Sequence, residues 1–237
     1  MRNRRIIGGL AVAAAVAVGV TGVAIGAPAV QSLDVQVGGK AKPKLSKKKF
    51  KKSSLEAKTS IVDGTNPAGI PPKATKAVLK FDKKDVKFDT KAAPGCDPNA
   101  IENTTTQDAL AKCGQAKVGQ GSAVASLAFG GARQDVPATV TAFNRSDSKG
   151  ILLHSRVDSL GTTVVLRGTL KGATLSVDIP PLAGGSGAIS EFSVKVKKGK
   201  YVQARCSDKK LVTKSNWTYS DAPSVSVKST QKCKGKK

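Results

Sequence analysis

The sequence predicts an all-β protein, a β-sandwich of Ig-like or related antiparallel architecture with one short helix in a disulfide-closed loop. Three observations carry that expectation. Short segments that alternate apolar and polar residues recur along the chain, about ten to twelve of them, separated by Gly-, Pro-, Asn- and Asp-rich turns. One stretch alone has the signature of a helix start. Four cysteines, Cys96, Cys113, Cys206 and Cys233, are even in number, widely spaced and free of C-x-x-C, which favours two disulfides over a metal or redox motif.

The first thirty residues read as an export signal. Arg2, Arg4 and Arg5 precede an uncharged run from Ile6 to Ile25, and Ala27-Pro28-Ala29 supplies a small-residue cleavage pattern. Residues 1–29 are therefore expected to be a signal peptide cleaved after Ala29; the alternative is an uncleaved anchor, since about 20 apolar residues span a bilayer. Residues 30–237 are expected to form one β-rich domain in a secreted or envelope-associated protein.

Ser32 to Val37 alternates as a first strand, and Gly38-Gly39 ends it. A lysine-rich loop at 40–52 comes next, including Lys44, Lys47, Lys48, Lys49, Lys51 and Lys52. Like-charge blocks are usually solvated, and a basic turn between strands fits too, because Leu55 to Val62 is strand-like again. The segment the rest is organised around runs from Thr75 to Phe129. Ala77, Leu79 and Phe81 share one strand face. Pro94, Gly95 and Pro98 bracket Cys96 in irregular chain, and Thr105-Thr106-Gln107-Asp108 forms a capping box for a helix ended by Gly114. Gly119-Gln120-Gly121 lacks the third glycine of a dinucleotide fingerprint and marks a bulge or turn.

After a turn at Gly130-Gly131, strands are expected at Pro137 to Phe143, Ile151 to Asp158, Thr162 to Leu170 and Thr174 to Ile179. The last has Leu175, Val177 and Ile179 on one face. Further strands centre on Phe192 to Val196, Tyr201 to Cys206, Asn216 to Tyr219 and Val225 to Ser229. Proximity in sequence pairs Cys96 with Cys113 and Cys206 with Cys233. Parity supports the second pair: Val202, Ala204 and Cys206 share one face, as do Val225, Val227 and Cys233. Each bridge closes a loop worth about 3 kcal/mol.

Composition bounds the function. The chain has 40 Lys plus Arg against 16 Asp plus Glu; without Arg2, Arg4 and Arg5, 37 bases face 16 acids, or +21. Such a field favours anionic envelope polymers or lipid headgroups, and the 40–52 run is the expected polyanion contact; solubility is the plain alternative. Aromatic content is 4 %, too low for base-stacking platforms, so no specific nucleic-acid recognition is expected. No catalytic residue, metal site or small-molecule cofactor is expected. His154, the one histidine, reads as a surface residue on the polar face of its strand, and a hydrolase would need it together with an acid such as Asp158. Asp82, Asp85 and Asp89, interleaved with lysines, read as a solvated strand edge. A β-barrel carrier of an apolar ligand is a further alternative.

Several runs also carry a resemblance. Pro94-Gly95-Cys96, ENTTT at Glu102–Thr106, A-x-C-G at Ala111–Gly114 and V-G-x-G at Val118–Gly121 lie within Phe81 to Ala123. Together with Ile151–Leu170 and Ile179–Ile189, they resemble a family of secreted, disulfide-containing β-rich proteins of high-GC Gram-positive bacteria. The resemblance implies bacterial export and shared disulfides; it brings no activity and no functional residues.

Overall fold

In a computed structural model, residues 29–236 are described except 64, 65, 67, 68, 130 and 131. The signal segment up to residue 28 and the Gly130-Gly131 turn lie outside the described residues. Period-two alternation builds most of the elements. β1 (Ala29–Val37) buries Gln31, Leu33, Val35 and Val37 on one face, and pairs antiparallel with β3 (Lys51–Asp63) from Ala29↔Asp63 to Val37↔Leu55. Gly38 and Gly39 make the turn at φ of 80° and 66°, a left-handed backbone that favours glycine. The short β2 (Lys44–Ser46) lies between them.

The remaining strands are β4 (Ala74–Phe81), β5 (Val86–Phe88), β6 (Lys117–Phe129), β7 (Ala132–Asn144), β8 (Gly150–Val157), β9 (Thr162–Lys171), β10 (Thr174–Asp178), β11 (Gly187–Ala204), β12 (Lys210–Tyr219), β13 (Val225–Lys232) and β14 (Lys234–Lys236). The main sheet is antiparallel and runs β1-β3-β11-β6-β7-β8-β9-β10-β4-β12-β13, with β5 added to β11. It folds back so that β1, β3 and β11 face β9, β10, β4 and β12 across one apolar core, making a β-sandwich. β14 and β2 form a separate parallel pair.

The two ends of the sheet meet through side chains. Ser229 Oγ and Gln231 Oε1 on β13 accept from the backbone N–H of Val35 and Val37 on β1, at 3.0 and 2.9 Å, and Gln231 Nε2 donates to Val37 O. Polar residues at core-facing positions thus satisfy edge-strand donors that would otherwise be buried unpaired.

One long element differs from the sequence expectation. Phe192 to Val196 and Tyr201 to Cys206, expected as separate strands, belong to the eighteen-residue β11, which ends at Ala204 and passes Gly199 with register shifts instead of a turn. Gly119 sits at a register shift of the β6–β7 ladder, the bulge expected there. Gly121 is needed for another reason: a Cβ there would stand 1.8 Å from Ser193 O on β11.

The helix α1 (Thr106–Cys113) begins as expected. Thr105 Oγ1 accepts from Asp108 N, and the Asp108 carboxylate accepts from Thr105 N. Cys96 and Cys113 are bonded, as are Cys206 and Cys233. The first bridge holds α1 against the outer face of β7 and β8, where Phe143 and Leu152 form a second small core with Ile101 and Ala109. β8 is therefore buried on both faces from Gly150 to His154.

Candidate functional site: a lysine face beside the Cys206–Cys233 bridge

The lysine run is anchored, not loose. Lys44 lies on β2 directly opposite Lys234 of β14, and Lys51 and Lys52 open β3 opposite Ala204 and Gln203. Between them, Lys47, Lys48 and Lys49 form a turn tied at several points. Lys47 N donates to Lys236 O, Lys49 N to Ser46 Oγ, and Cys206 N to Ser46 O. Arg205 donates to Lys48 O and stacks 4.9 Å over Phe50. All six lysines of the run singled out in the sequence are exposed.

The bridge brings distant lysines to this turn. Lys42 and Lys47 line a groove of about 670 Å³ with Lys209, Lys210, Lys232 and Lys234, above the buried Cys206 and Cys233. Of the lysines named from sequence as the polyanion contact, Lys47 lines this groove; Lys44, Lys48, Lys49, Lys51 and Lys52 do not. Sequence reasoning misses Lys209, Lys210, Lys232 and Lys234. Their signal is present: each lies within four residues of Cys206 or Cys233.

The acids are largely engaged elsewhere. Every described arginine is in an ion pair: Arg133 with Asp135, Arg145 with Asp147, Arg156 with Asp158, Arg167 with Glu102 and Arg205 with Asp85. Three of these are Arg-x-Asp, two residues apart on one strand face or turn. Arg145 draws the Asp147 carboxyl down to about 2. Among the described lysines, Lys58, Lys76 and Lys195 are the ones in ion pairs. Asp208 is the one acid lining the groove, so its lysine charge stays largely uncompensated.

Two residues are placed differently from expectation. His154 is fully buried, not on the surface, because the outer face of β8 is covered by the disulfide-closed loop. Its Nε2 donates to Thr104 O at 3.1 Å, while Nδ1 makes no hydrogen bond. Asp85 is likewise fully buried instead of lying on a solvated edge. Its carboxylate accepts from Ser207 N, Ser207 Oγ and Arg205 Nε at 3.0, 2.9 and 3.3 Å.

The burial of His154 has a pH consequence. Desolvation lowers its pKa from the ordinary 6.5, with the bond to Thr104 opposing. The unfolded chain then binds the proton more readily, so stability should fall as pH drops below about 6.5, by at most about 1.4 kcal/mol per pH unit. Urea unfolding from about pH 7 to about 5.5 should show this slope in the wild type, and His154→Gln should flatten it. Equal slopes would mean the imidazole is protonated equally in both states.

No family model matches this chain, and no curated protein matches it. Among solved structures it is similar to the major pilin subunit of Bacillus cereus, at 10 % identity and a TM-score of 0.35. The match covers 87 % of this chain and 40 % of the pilin, so the chain spans well under half of that protein's length.

Proposed function

We propose that this chain is an exported, non-enzymatic β-sandwich that binds anionic polymers of the cell envelope by electrostatic attraction. The observation that carries the reading is the groove beside Cys206–Cys233, where six lysines converge on one acid. Such a concentration of one sign raises the local potential and steers polyanions. Two disulfides fit an extracytoplasmic protein, since such bonds persist in oxidising compartments. Among the described residues, no helix is long and apolar enough to cross a membrane.

The carrier alternative is less well supported. The apolar space between the sheet layers amounts to about 80 Å³, well below the roughly 300–1,000 Å³ of small-molecule sites. Nothing places an acid on His154 to support a hydrolase: its polar contacts are to Thr104.

The test is binding of the purified, oxidised protein to isolated bacterial envelopes across a salt titration. Saturable binding at low salt that disappears by moderate ionic strength is expected, because exposed charges act over a Debye length of about 10 Å at 0.1 M. Absence of binding even at low salt would reduce the lysine excess to a solubility device.

A further inference from the structure

Lysines along β12 and its neighbouring strands are arranged with a regularity that solubility does not require. On the exposed face of β12 and β13, Lys210 stands directly opposite Lys232, and Lys214 directly opposite Lys228. On the other side of β12, Lys214 is also directly opposite Lys80 of β4. Three ammonium groups therefore share one row across three neighbouring strands, which lie about 4.8 Å apart. Like charges placed directly opposite destabilise a sheet, and here the arrangement occurs in two successive lysine rows.

The rows lie four residues apart, about 14 Å along the strand. Between them the strands carry the half-buried Val212 opposite Thr230, and beyond Lys214 and Lys228 Asn216 donates to Ser226 Oγ at 2.9 Å. A shallow recess of about 360 Å³ opens over Lys80, Lys214, Asn216, Ser226 and Lys228, with half-buried Val78 beside it. At one end, Lys210 and Lys232 also belong to the groove above the Cys206–Cys233 bridge. At the other, Lys76 lies opposite Thr218 and is paired with Asp178.

From this geometry we infer that the groove and the β12–β13 face form one continuous track for a linear, phosphate-bearing polymer lying along β12. The inference rests on the proposed polyanion reading and gives it a ligand class and a path. Each opposed lysine pair offers two point charges to one phosphate, and lysine binds phosphate as a point charge. The Thr230 hydroxyl between the charged rows and the Asn216 amide beyond them supply further hydrogen bonds. A nucleic acid fits less well, because Trp217 and Tyr219 on β12 face the core and leave the track without a stacking surface. An inserting membrane surface fits less well too, because among the described residues the large exposed apolar side chains are Val30, Val62 and Leu160, none of them on this face.

The test compares three proteins: wild type, the track variant Lys80→Gln/Lys214→Gln/Lys228→Gln, and the groove variant Lys42→Gln/Lys47→Gln/Lys209→Gln. The probe is long-chain inorganic polyphosphate, with tripolyphosphate, phosphatidylglycerol vesicles and oligo-dT alongside. Wild type should bind the long chain well above tripolyphosphate, with a steep salt dependence. The track variant should bind it roughly 10- to 100-fold more weakly at low salt, with a slope of log K on log salt reduced by about 2 for three lost contacts. Its melting temperature without polymer should not fall, since opposed like charges have been removed.

If wild type binds and only the groove variant weakens, the track is overturned while the polyanion reading stands. If wild type binds no polyanion, both fall. Binding of vesicles or oligo-dT in preference to polyphosphate, lost in the same track variant, would overturn the polymer class.

Discussion

Replacing Asp85 with alanine should destabilise the protein by about 3 kcal/mol, read as a lower urea midpoint with an unchanged slope. Asp85 is fully buried, while its partner Arg205 keeps about a third of its side chain in solvent. Water can therefore take back part of the arginine charge, which holds the loss near the lower end for a broken buried pair. The half-buried Ser207 would lose the acceptor of both its N–H and its hydroxyl. Arg205 also spans the fold: it donates to Lys84 O and Lys48 O and stacks on Phe50. Loss of its carboxylate anchor should thus loosen the Lys47–Lys49 turn as well, seen as faster amide exchange there. Asp85→Asn keeps the volume and one acceptor oxygen, and should cost less than alanine. A change below about 1 kcal/mol in the alanine variant would show the cluster to be incidental to the fold.

That sequence reasoning places His154 on the surface has a physical cause; Asp85, in the turn before β5, meets Arg205 and Ser207 from far along the chain, which no local pattern shows. Alternation tells which residues share a face, not what covers that face. Where one face meets solvent the reading works: β12 and β13 alternate buried and exposed at every position but Val212, and Trp217 and Tyr219 point inward. On β8 the outer face lies under the loop closed by Cys96–Cys113, so Leu152 and His154 are as buried as Ile151 and Leu153. The capping box at Thr105 and the two cysteine pairings are legible because their signals are local or paired by parity. Lys197-Lys198-Gly199-Lys200 looks like a turn, yet β11 runs through it, since ladder partners on both sides tolerate the register shift. Ser229 and Gln231 look like interruptions of an apolar face until the unpaired N–H groups of Val35 and Val37 are seen beside them. The lysine run is plain in the sequence, but its convergence with Lys209, Lys210, Lys232 and Lys234 depends on contacts across most of the chain.

Removing the bridge with Cys206→Ala/Cys233→Ala should cost about 3–4 kcal/mol, the chain-entropy value for a loop of 27 residues, and should alter polyanion binding selectively. The bridge fixes the start of β14 to the chain just beyond β11. Without it, the β14–β2 pair depends on a few backbone hydrogen bonds, among them Lys234 N to Pro43 O and Lys47 N to Lys236 O. Three-residue strands cannot hold register alone. Lys42, Lys47 and Lys234 should then lose their fixed positions, while Lys80, Lys214 and Lys228 stay aligned by the β4–β12–β13 ladders. The expected signature is a lower urea midpoint, faster exchange of the β14 amides and weaker binding of long polyphosphate that stays salt-dependent. The matched variant Cys96→Ala/Cys113→Ala opens a loop of 17 residues and should lose about 3 kcal/mol. Its bridge lies under α1 and away from the lysines, so binding by the folded protein should not change. Equal effects of the two variants on binding would separate the groove from the Cys206–Cys233 bridge and leave the β12–β13 face as the contact.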